Sequence, residues 1–434
     1  MIKAPINREC IEIMAPAGSF ESLRAAIEGG ADAVYFGAEH LNMRSGSARN
    51  FVISDLPLIA RYCRMKGVKT YLALNTIIYD NEIAFSRHLI DEAVRAGISA
   101  VIVSDQSVIS YAQEAGIPIH LSTQLNLSNF ETVKFYARYA DVMVLARELN
   151  LEQVADIARQ IGLHQLKGPS GNLIRLEMFV HGALCMAVSG KCYLSLHQYN
   201  TSANRGNCLQ ACRRAYRVED IESGDELEID NRYIMSPKDL STIHFIDRIL
   251  AAGITILKIE GRARPAEYVN TVTVCYREAV ESLADGTFGP DKVRFWEERL
   301  ATVFNRGFWD GYYLGQRLGE WSSVYGSRAT RKKTYLGKGT NYYPKIGVAE
   351  FLLENGDLST GDEVLITGPT TGLIRLKISE IHTDNGVVEK ALKGEKAAIR
   401  TGRKIRLSDR LYKWEPRELP APGEQIADPE DVGE

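Results

Sequence analysis

Four cysteines lie close together near the middle of the chain, in the segments HGALCMAVSGKC and GNCLQAC. Four thiolates so near in sequence are a strong indication of a metal site. Zinc favours two pairs of closely spaced ligands, and only the last pair here has that spacing. An iron–sulfur cluster accepts wider spacing, because its iron atoms point to the corners of a larger tetrahedron. We therefore expect an iron–sulfur cluster, with zinc as the alternative. The expected ligands are Cys185, Cys192, Cys208 and Cys212.

The chain has seven cysteines, and the other three have different surroundings. Cys63 and Cys275 fall on the apolar faces of helical patterns, and Cys10 opens an apolar run. Free cysteine is among the residues most often buried, so we expect all three in the core. The odd number of cysteines, and the lack of a signal-peptide run or of about 18 consecutive apolar residues, favour a soluble cytoplasmic protein without a membrane partner.

The elements that position these cysteines alternate between strands and helices. Eight short β-branched runs are each followed by an amphipathic helical pattern, and this order is typical of a (β/α)8 TIM-type barrel. An open, doubly wound sheet is the alternative, because its strands have the same local pattern. The strand-like runs are 10–16, 33–38, 69–75, 99–105, 117–124, 141–148, 175–182 and 254–262.

Polar residues follow most of these runs, where a parallel barrel gathers its active-site groups. For a single residue, capping or loop hydrogen bonding is the alternative, but the set predicts a polar active-site rim. We expect His181, Glu260 and Arg262 to be catalytic, with Arg262 holding a carboxylate, because a guanidinium can bind it with two hydrogen bonds. The residues at the predicted rim are Asn75, Asp105, Gln124, Arg147, Glu148, His181, Glu260 and Arg262.

A long segment, 182–236, interrupts the short loops and contains all four clustered cysteines. A loop of this length inside a domain is usually functional. Its second half, 215–235, alternates around turn residues and predicts a hairpin. A helix is then expected to begin with Ser236 as its N-cap and Asp239 in a capping box.

The sequence predicts four parts of the chain. A barrel domain with the cysteine loop covers 1–326, a basic linker covers 327–339, a small all-β barrel domain covers 340–414, and a disordered tail covers 415–434. The last two assignments come from short strand patterns with turns, and from a proline-rich, acidic composition.

The formal net charge of −3 gives no overall indication of nucleic-acid binding, so RNA would have to be held by local basic groups. An ordinary surface charge is the alternative for each such group. The run FNRGFWDGYY, 304–313, packs an extension against the barrel or stacks an extruded base. The candidate phosphate contacts are Arg205, Arg213, Arg214, Arg262, Arg264, Arg328, Arg331, Lys332 and Lys333.

The string EMFVHGALCMAVSGKCYLS resembles the signature of the U32 peptidase-like family, also called collagenase-like peptidases. Further blocks, such as LSTQLNLSNFETVKFY and LKIEGRARPAEYV, extend the resemblance over residues 10 to about 320. The pair in GNCLQAC and the β-rich extension make the chain most similar to the tRNA hydroxylation members. The matching positions are Glu177, Phe179, Gly182, Ala183, Leu184, Cys185, Gly190, Cys192, Leu194 and Ser195.

The resemblance implies 5-hydroxyuridine formation at the wobble position of tRNA, independent of dioxygen and linked to prephenate as a co-substrate. It implies a 4Fe-4S cluster bound by the four cysteines, tRNA as partner, and an oligomer with itself or a paralogue. The residues do not identify the electron donor. The segment 213–235 is shorter than in many tRNA-type members, so a ribosomal RNA cytidine or a quinone precursor is an alternative substrate.

The family name makes a peptidase the other alternative. Such an enzyme needs an activated nucleophile or a hydrated metal with an open position. The chain has no HExxH and no GxSxG motif. A nucleophile–base pair would have to be Cys185 with His181 or His197, which takes a thiol from the expected cluster ligands.

Overall fold

Eight parallel strands form a closed barrel in the computed structural model, which describes residues 7–46, 50–216, 233, 235–316, 319–323 and 326–418. Each strand pairs with its neighbour in chain order, and the last pairs with both the seventh and the first. The TIM-type barrel predicted from the eight apolar runs is therefore confirmed. Its strands are β1 Glu12–Pro16, β2 Ala33–Gly37, β3 Lys69–Leu74, β4 Ala100–Val103, β5 Ile119–Leu121, β6 Val142–Val144, β7 Arg175–Ala183 and β9 Ile256–Ile259.

Helices surround the barrel and bury one apolar face each. The first begins after Ser19, whose side chain accepts a hydrogen bond from the Ser22 amide at 3.2 Å, and it ends at Gly29. The helices are α1 Phe20–Glu28, α2 Leu56–Met65, α3 Ile83–Ala96, α4 Gln106–Glu114, α5 Phe130–Tyr136, α6 Leu151–Leu163, α7 Leu194–Tyr199, α8 Ile246–Ala251, α9 Ala266–Ala284 and α10 Pro290–Ala301.

Two short strands extend the barrel sheet beside β7, and they correct the helix start predicted at Ser236. Strand β8, Asp239–Ser241, pairs antiparallel with β7, and β10, Phe308–Trp309, pairs with β8. The helix begins only at Ile246, because residues 239–241 take part in long-range strand pairing instead of a capping box. The predicted hairpin at 215–235 falls mostly outside the described residues.

The aromatic run 304–313 packs against the barrel, as one of its two interpretations predicts. Trp309 and Tyr313 are buried, and the Tyr313 hydroxyl donates a hydrogen bond to the Phe179 carbonyl at 2.8 Å. Two of the three expected core cysteines, Cys63 and Cys275, are buried. The prediction for Cys10 is wrong: it is exposed, because it ends a 3-10 turn that precedes β1.

The C-terminal region is all β, as predicted. Eight of its strands form one antiparallel sheet in the order β15-β14-β20-β11-β12-β19-β16-β17, and β13 pairs with β18. The strands are β11 Arg331–Tyr343, β12 Val348–Leu353, β13 Leu358–Ser359, β14 Glu363–Gly368, β15 Gly372–Lys377, β16 Ile381–Thr383, β17 Gly386–Val388, β18 Lys390–Ala391, β19 Lys396–Arg400 and β20 Arg410–Pro416.

The domain boundaries differ from those predicted. Most of the predicted basic linker, 327–339, is the first half of β11, because residues 331–338 pair with β20. The start of the predicted tail, Glu415 and Pro416, completes β20, and residues 419–434 lie outside the described ranges.

The β domain packs against helices α1 and α9 of the barrel. Leu365, Leu373 and Trp414 of the β domain belong to the same buried cluster as the barrel helices, while the rest of the domain has its own core. The Arg24 Nε donates a hydrogen bond to the Pro369 carbonyl at 2.8 Å across this contact. Over the described ranges, no helix has the length and hydropathy that crossing a bilayer requires.

Candidate active site

A cavity at the carboxyl ends of the barrel strands gathers all four clustered cysteines. Cys185 follows the end of β7, and the other three come from the loop that continues from it. One side of this cavity is therefore lined by thiols and the other by the strand ends. Cys185, Cys192, Cys208 and Cys212 are the residues that could hold a cofactor here.

Local contacts fix the cysteine loop over the barrel mouth. The Cys192 amide donates to the Asn204 side chain at 3.4 Å, and the Leu209 amide donates to the Ser195 hydroxyl at 3.1 Å. Gly206 adopts a φ of +91°, and a Cβ there would lie 2.0 Å from the Ser45 hydroxyl. Only glycine allows the loop to approach residues 42–45 so closely.

The thiols influence one another's protonation. Burial raises the pKa of Cys212 to about 11, Arg213 lowers it, and the other three thiols raise it further. Burial also raises the pKa of Cys192, against the backbone N–H groups of Leu194 and Ser195, which lower it by hydrogen bonding. Burial is the largest of these effects on both side chains, and it favours the neutral thiol form.

No three His, Cys, Asp or Glu side chains within the described ranges are grouped to hold one metal ion. Four thiols are a donor set that both a tetrahedral zinc ion and an iron–sulfur cluster use.

The rest of the cavity wall is strongly cationic. Among the described residues, one carboxylate, Glu260, lines it together with seven basic side chains. This excess of positive charge favours an anionic ligand. The seven are Arg44, Arg147, Arg213, Lys258, Arg262, Arg264 and Arg306.

Glu260 is held as a carboxylate by its neighbours. It accepts a hydrogen bond from Arg44 at 2.9 Å and one from the Tyr35 hydroxyl at 3.2 Å. Burial by itself raises the pKa of Glu260. The positive charges of Arg44, Arg147 and Arg262 outweigh that effect and lower the pKa to about 2. Glu260 is therefore ionised near neutral pH, which makes it an anchor for cations and a poor proton donor.

Arg262 presents a guanidinium to the cavity, and no carboxylate of the described residues forms an ion pair with it. The side chain is 5% exposed, and its Nη1 donates to the Asn42 side chain at 2.8 Å. Arg147 lies over the Phe179 ring at 4.0 Å, and its Nε has no hydrogen-bond partner among the described residues. The Arg147 Nη1 also donates to the Ala183 carbonyl at 3.3 Å, so an anion would use the other N–H groups of these two side chains.

A buried ionic group behind the cavity is not apparent from the sequence patterns. Lys258 donates to Glu177 at 2.6 Å, and Glu177 contacts the His120 Nδ1 at 3.4 Å. The exposed fractions of Lys258, Glu177 and His120 are 4%, 0% and 5%. Burial by itself raises the pKa of Glu177. Lys258 and His120 outweigh that effect, so the pKa of this carboxyl group is lowered. The sequence feature that could have predicted this group is the presence of a charged residue at positions 177 and 258, each within an otherwise apolar strand run.

The structure brings together five of the eight residues predicted at the rim. Asp105 instead caps α4 by accepting from the Ser107 amide at 2.9 Å, and Glu148 and His181 are outside the cavity lining. The His181 ring is 1% exposed, and burial lowers its pKa to about 3, so it is neutral and enclosed by Tyr268, Tyr276 and Phe308. The five that line the cavity are Asn75, Gln124, Arg147, Glu260 and Arg262.

Most of the basic residues considered for phosphate binding have protein partners. Arg205 forms an ion pair with Glu82, and Arg213 donates to the carbonyls of Leu184 and Pro237. The basic residues of β11 are paired as Arg331–Glu363, Lys332–Glu415 and Lys333–Glu267. Surface ion pairs of this kind leave little free charge for a polyanion.

Comparison with known proteins agrees with this architecture. The sequence model described as "Peptidase family U32" matches residues 18–323. A protein named "Collagenase" from Porphyromonas gingivalis is 59% identical over 413 residues, which are 95% of this chain and 100% of that protein.

Two more distant relatives carry other names. "tRNA hydroxylation protein P1" of Bacillus subtilis is 30% identical over 384 residues, or 86% of this chain and 87% of the relative. "23S rRNA 5-hydroxycytidine C2501 synthase" of Escherichia coli is 32% identical over 326 residues, which cover 73% of this chain and 47% of the relative. The extent of these matches shows that the chain belongs to peptidase family U32.

Proposed function

We propose that this protein hydroxylates RNA at a cavity whose four thiols hold an iron–sulfur cluster of the 4Fe-4S type. The observation that carries the proposal is the convergence of Cys185, Cys192, Cys208 and Cys212 on one cationic cavity at the barrel mouth. The names of two relatives, for tRNA hydroxylation and for 5-hydroxycytidine synthesis, support the choice of RNA. The specific reaction we propose is 5-hydroxyuridine formation at the wobble position of tRNA, in the cytoplasm.

The chemistry assigned to the cofactor is electron transfer, one electron at a time. The surrounding residues bind and orient the substrates. Arg262 and Arg147 hold the carboxylate of a co-substrate such as prephenate, since both guanidinium groups line the cavity and neither forms an ion pair with a described residue. Glu260 fixes Arg44 at the wall, and the Lys258 ammonium, held by Glu177, adds positive charge from below.

Arg262→Lys is expected to remove the hydroxylated product without removing iron. Lysine keeps the charge but loses the planar pair of N–H donors that a carboxylate binds, and it cannot reach the Asn42 amide oxygen in the same way. The measurement is iron content of the purified variant together with nucleoside mass spectrometry of RNA from a strain that carries it. Full product with the lysine variant would remove Arg262 from the binding site.

The experiment that tests the proposed reaction is mass spectrometry of nucleosides from purified tRNA and ribosomal RNA, separately, in strains with and without this gene. The expected result is loss of 5-hydroxyuridine derivatives from tRNA alone. Loss of a hydroxylated cytidine from ribosomal RNA would keep RNA hydroxylation but change the substrate. Unchanged tRNA and ribosomal RNA, in a strain without a second route, would contradict the proposal and favour a quinone precursor or a peptide.

A peptidase is the second candidate, and the 59% identical relative named "Collagenase" favours it. The cavity offers a poor nucleophile–base pair, because His181 is enclosed outside its lining and His197 is exposed. Cleavage of denatured collagen by metal-free protein, abolished by Cys185→Ala, would establish this activity. We expect no cleavage.

A further inference from the structure

A second cavity lies between the barrel and the β domain. Residues 18–22 and 262–267 form its barrel side, and residues 367–370 and 406–412, with Lys333, form the opposite side. We call this cavity the interdomain cleft. Its wall at residues 262–264 also belongs to the cysteine cavity, so the two spaces are neighbours separated by one loop.

The cleft contains arginines that lack carboxylate partners. Within the ranges that the structure describes, Arg264, Arg406 and Arg410 form no ion pair, in contrast with the paired basic residues of β11. Arg264 stacks on the Phe304 ring at 3.4 Å, and burial lowers its pKa to about 10, so it stays charged near neutral pH. Arg406 and Arg410 are exposed.

The carboxylates of the cleft do not cancel these charges. Asp409 is 2% exposed and accepts hydrogen bonds from the Thr371 hydroxyl and, at 2.7 Å, from the Arg406 amide. Glu267 is 5% exposed and is paired with Lys333 at 2.9 Å. Glu21 is the remaining carboxylate of the lining, so the accessible surface of the cleft is cationic.

We propose that the interdomain cleft binds the phosphodiester backbone of the RNA substrate, an inference that rests on the proposed function. One unpaired guanidinium comes from the barrel and two come from the β domain, so a strand between them contacts both domains. Because the cleft and the cysteine cavity share residues 262–264, a strand held in the cleft continues directly to the mouth where its base reacts.

The double variant Arg406→Gln, Arg410→Gln tests this proposal in the full-length protein. Each phosphate contact contributes roughly 0.7 to 0.9 to the slope of log affinity against log salt, so the variant should lower that slope by about 1 to 2. We expect tRNA binding at physiological salt to weaken about tenfold, with unchanged iron content. The measurement is the affinity for tRNA at several salt concentrations.

Arg61→Gln is the matched control, because Arg61 is an exposed arginine of α2, outside the cleft lining and without an ion pair in the described part of the chain. It should bind tRNA as the wild type does. If the double variant and the wild type have equal affinities for tRNA and equal salt slopes, the proposal that the cleft binds RNA is wrong. The proposed function would still stand if tRNA is modified. The proposal for the cleft would also be wrong if the control variant loses as much affinity for tRNA as the double variant, or if the protein binds polyglutamate more tightly than RNA. A wild-type protein that neither binds nor modifies RNA would overturn both proposals.

Discussion

Cys208→Ser is expected to lose most of the iron and the brown absorption of the anaerobically purified protein. A serine hydroxyl is a far weaker iron ligand than a thiolate, and Cys208 is one of four thiols at the same cavity. The same substitution should abolish RNA hydroxylation, because we assign electron transfer to the cluster. The measurements are iron and acid-labile sulfide content, with the visible absorption spectrum.

Cys275→Ser is the control for that experiment. Cys275 is fully buried on α9, away from the cavity lining, and burial raises its pKa to about 12, so it is a neutral core thiol. This variant should keep its iron and its spectrum. If Cys208→Ser keeps its iron, or if both variants lose it equally, the assignment of the four ligands is wrong.

Lys258→Met is expected to destabilise the barrel by about 3–5 kcal/mol, the usual cost of removing one partner of a buried ion pair. Glu177 would keep its carboxylate at 0% exposure with His120 as its remaining polar neighbour. The measurement is the free energy of unfolding of the barrel in urea at neutral pH. The double variant Lys258→Met, Glu177→Met should recover part of that loss, because it removes the unpaired charge as well.

Lys69→Met is the matched control, because Lys69 also pairs with a buried carboxylate, Glu12, at 2.7 Å. Lys69 is 53% exposed on its side chain, and Arg175 provides Glu12 with a second partner at 3.3 Å. Removing the Lys69 ammonium group should lower the free energy of unfolding by about 1 kcal/mol or less. If the Lys258→Met protein is as stable as the Lys69→Met protein, the Lys258–Glu177 pair does not contribute to the free energy of unfolding as we infer.

The barrel was predictable because its signals are local. Each of its strands is a short apolar run that a helical pattern follows, and the closed sheet repeats that unit eight times. The four cysteines were predictable for a similar reason, since thiols that act together lie close in sequence. Even the polar rim was largely predictable, because strand ends of a parallel barrel meet at one face.

What the sequence did not reveal depends on contacts between distant residues. Asp239 reads as a helix cap, but it lies on a strand whose partner is β7 and pairs with Arg306. The basic residues of β11 read as a linker, because their carboxylate partners come from α9, β14 and β20. Glu177 and Lys258 meet on the paired strands β7 and β9 although 81 positions separate them.

His181 shows the opposite error, in which a residue at the right position points to the wrong side. The end of β7 carries both His181 and the cysteine loop, but the His181 ring lies among Tyr268, Tyr276 and Phe308 and not in the cavity. The pairing of β7 with β9 shifts register between Phe179 and His181, so the alternation of β7 is interrupted there, and a glycine with φ of +106° follows at 182. A residue list from strand ends therefore needs the three-dimensional structure to separate the two faces.

The most direct test of the four-thiol cavity as an RNA-hydroxylating site is a complementation measurement. A strain that lacks this gene would carry either the wild type or Cys208→Ser, and the nucleosides of its purified tRNA would be measured by mass spectrometry. We expect 5-hydroxyuridine derivatives to return with the wild type and to stay absent with Cys208→Ser at equal protein level. Their return with both proteins would contradict the role of the thiols.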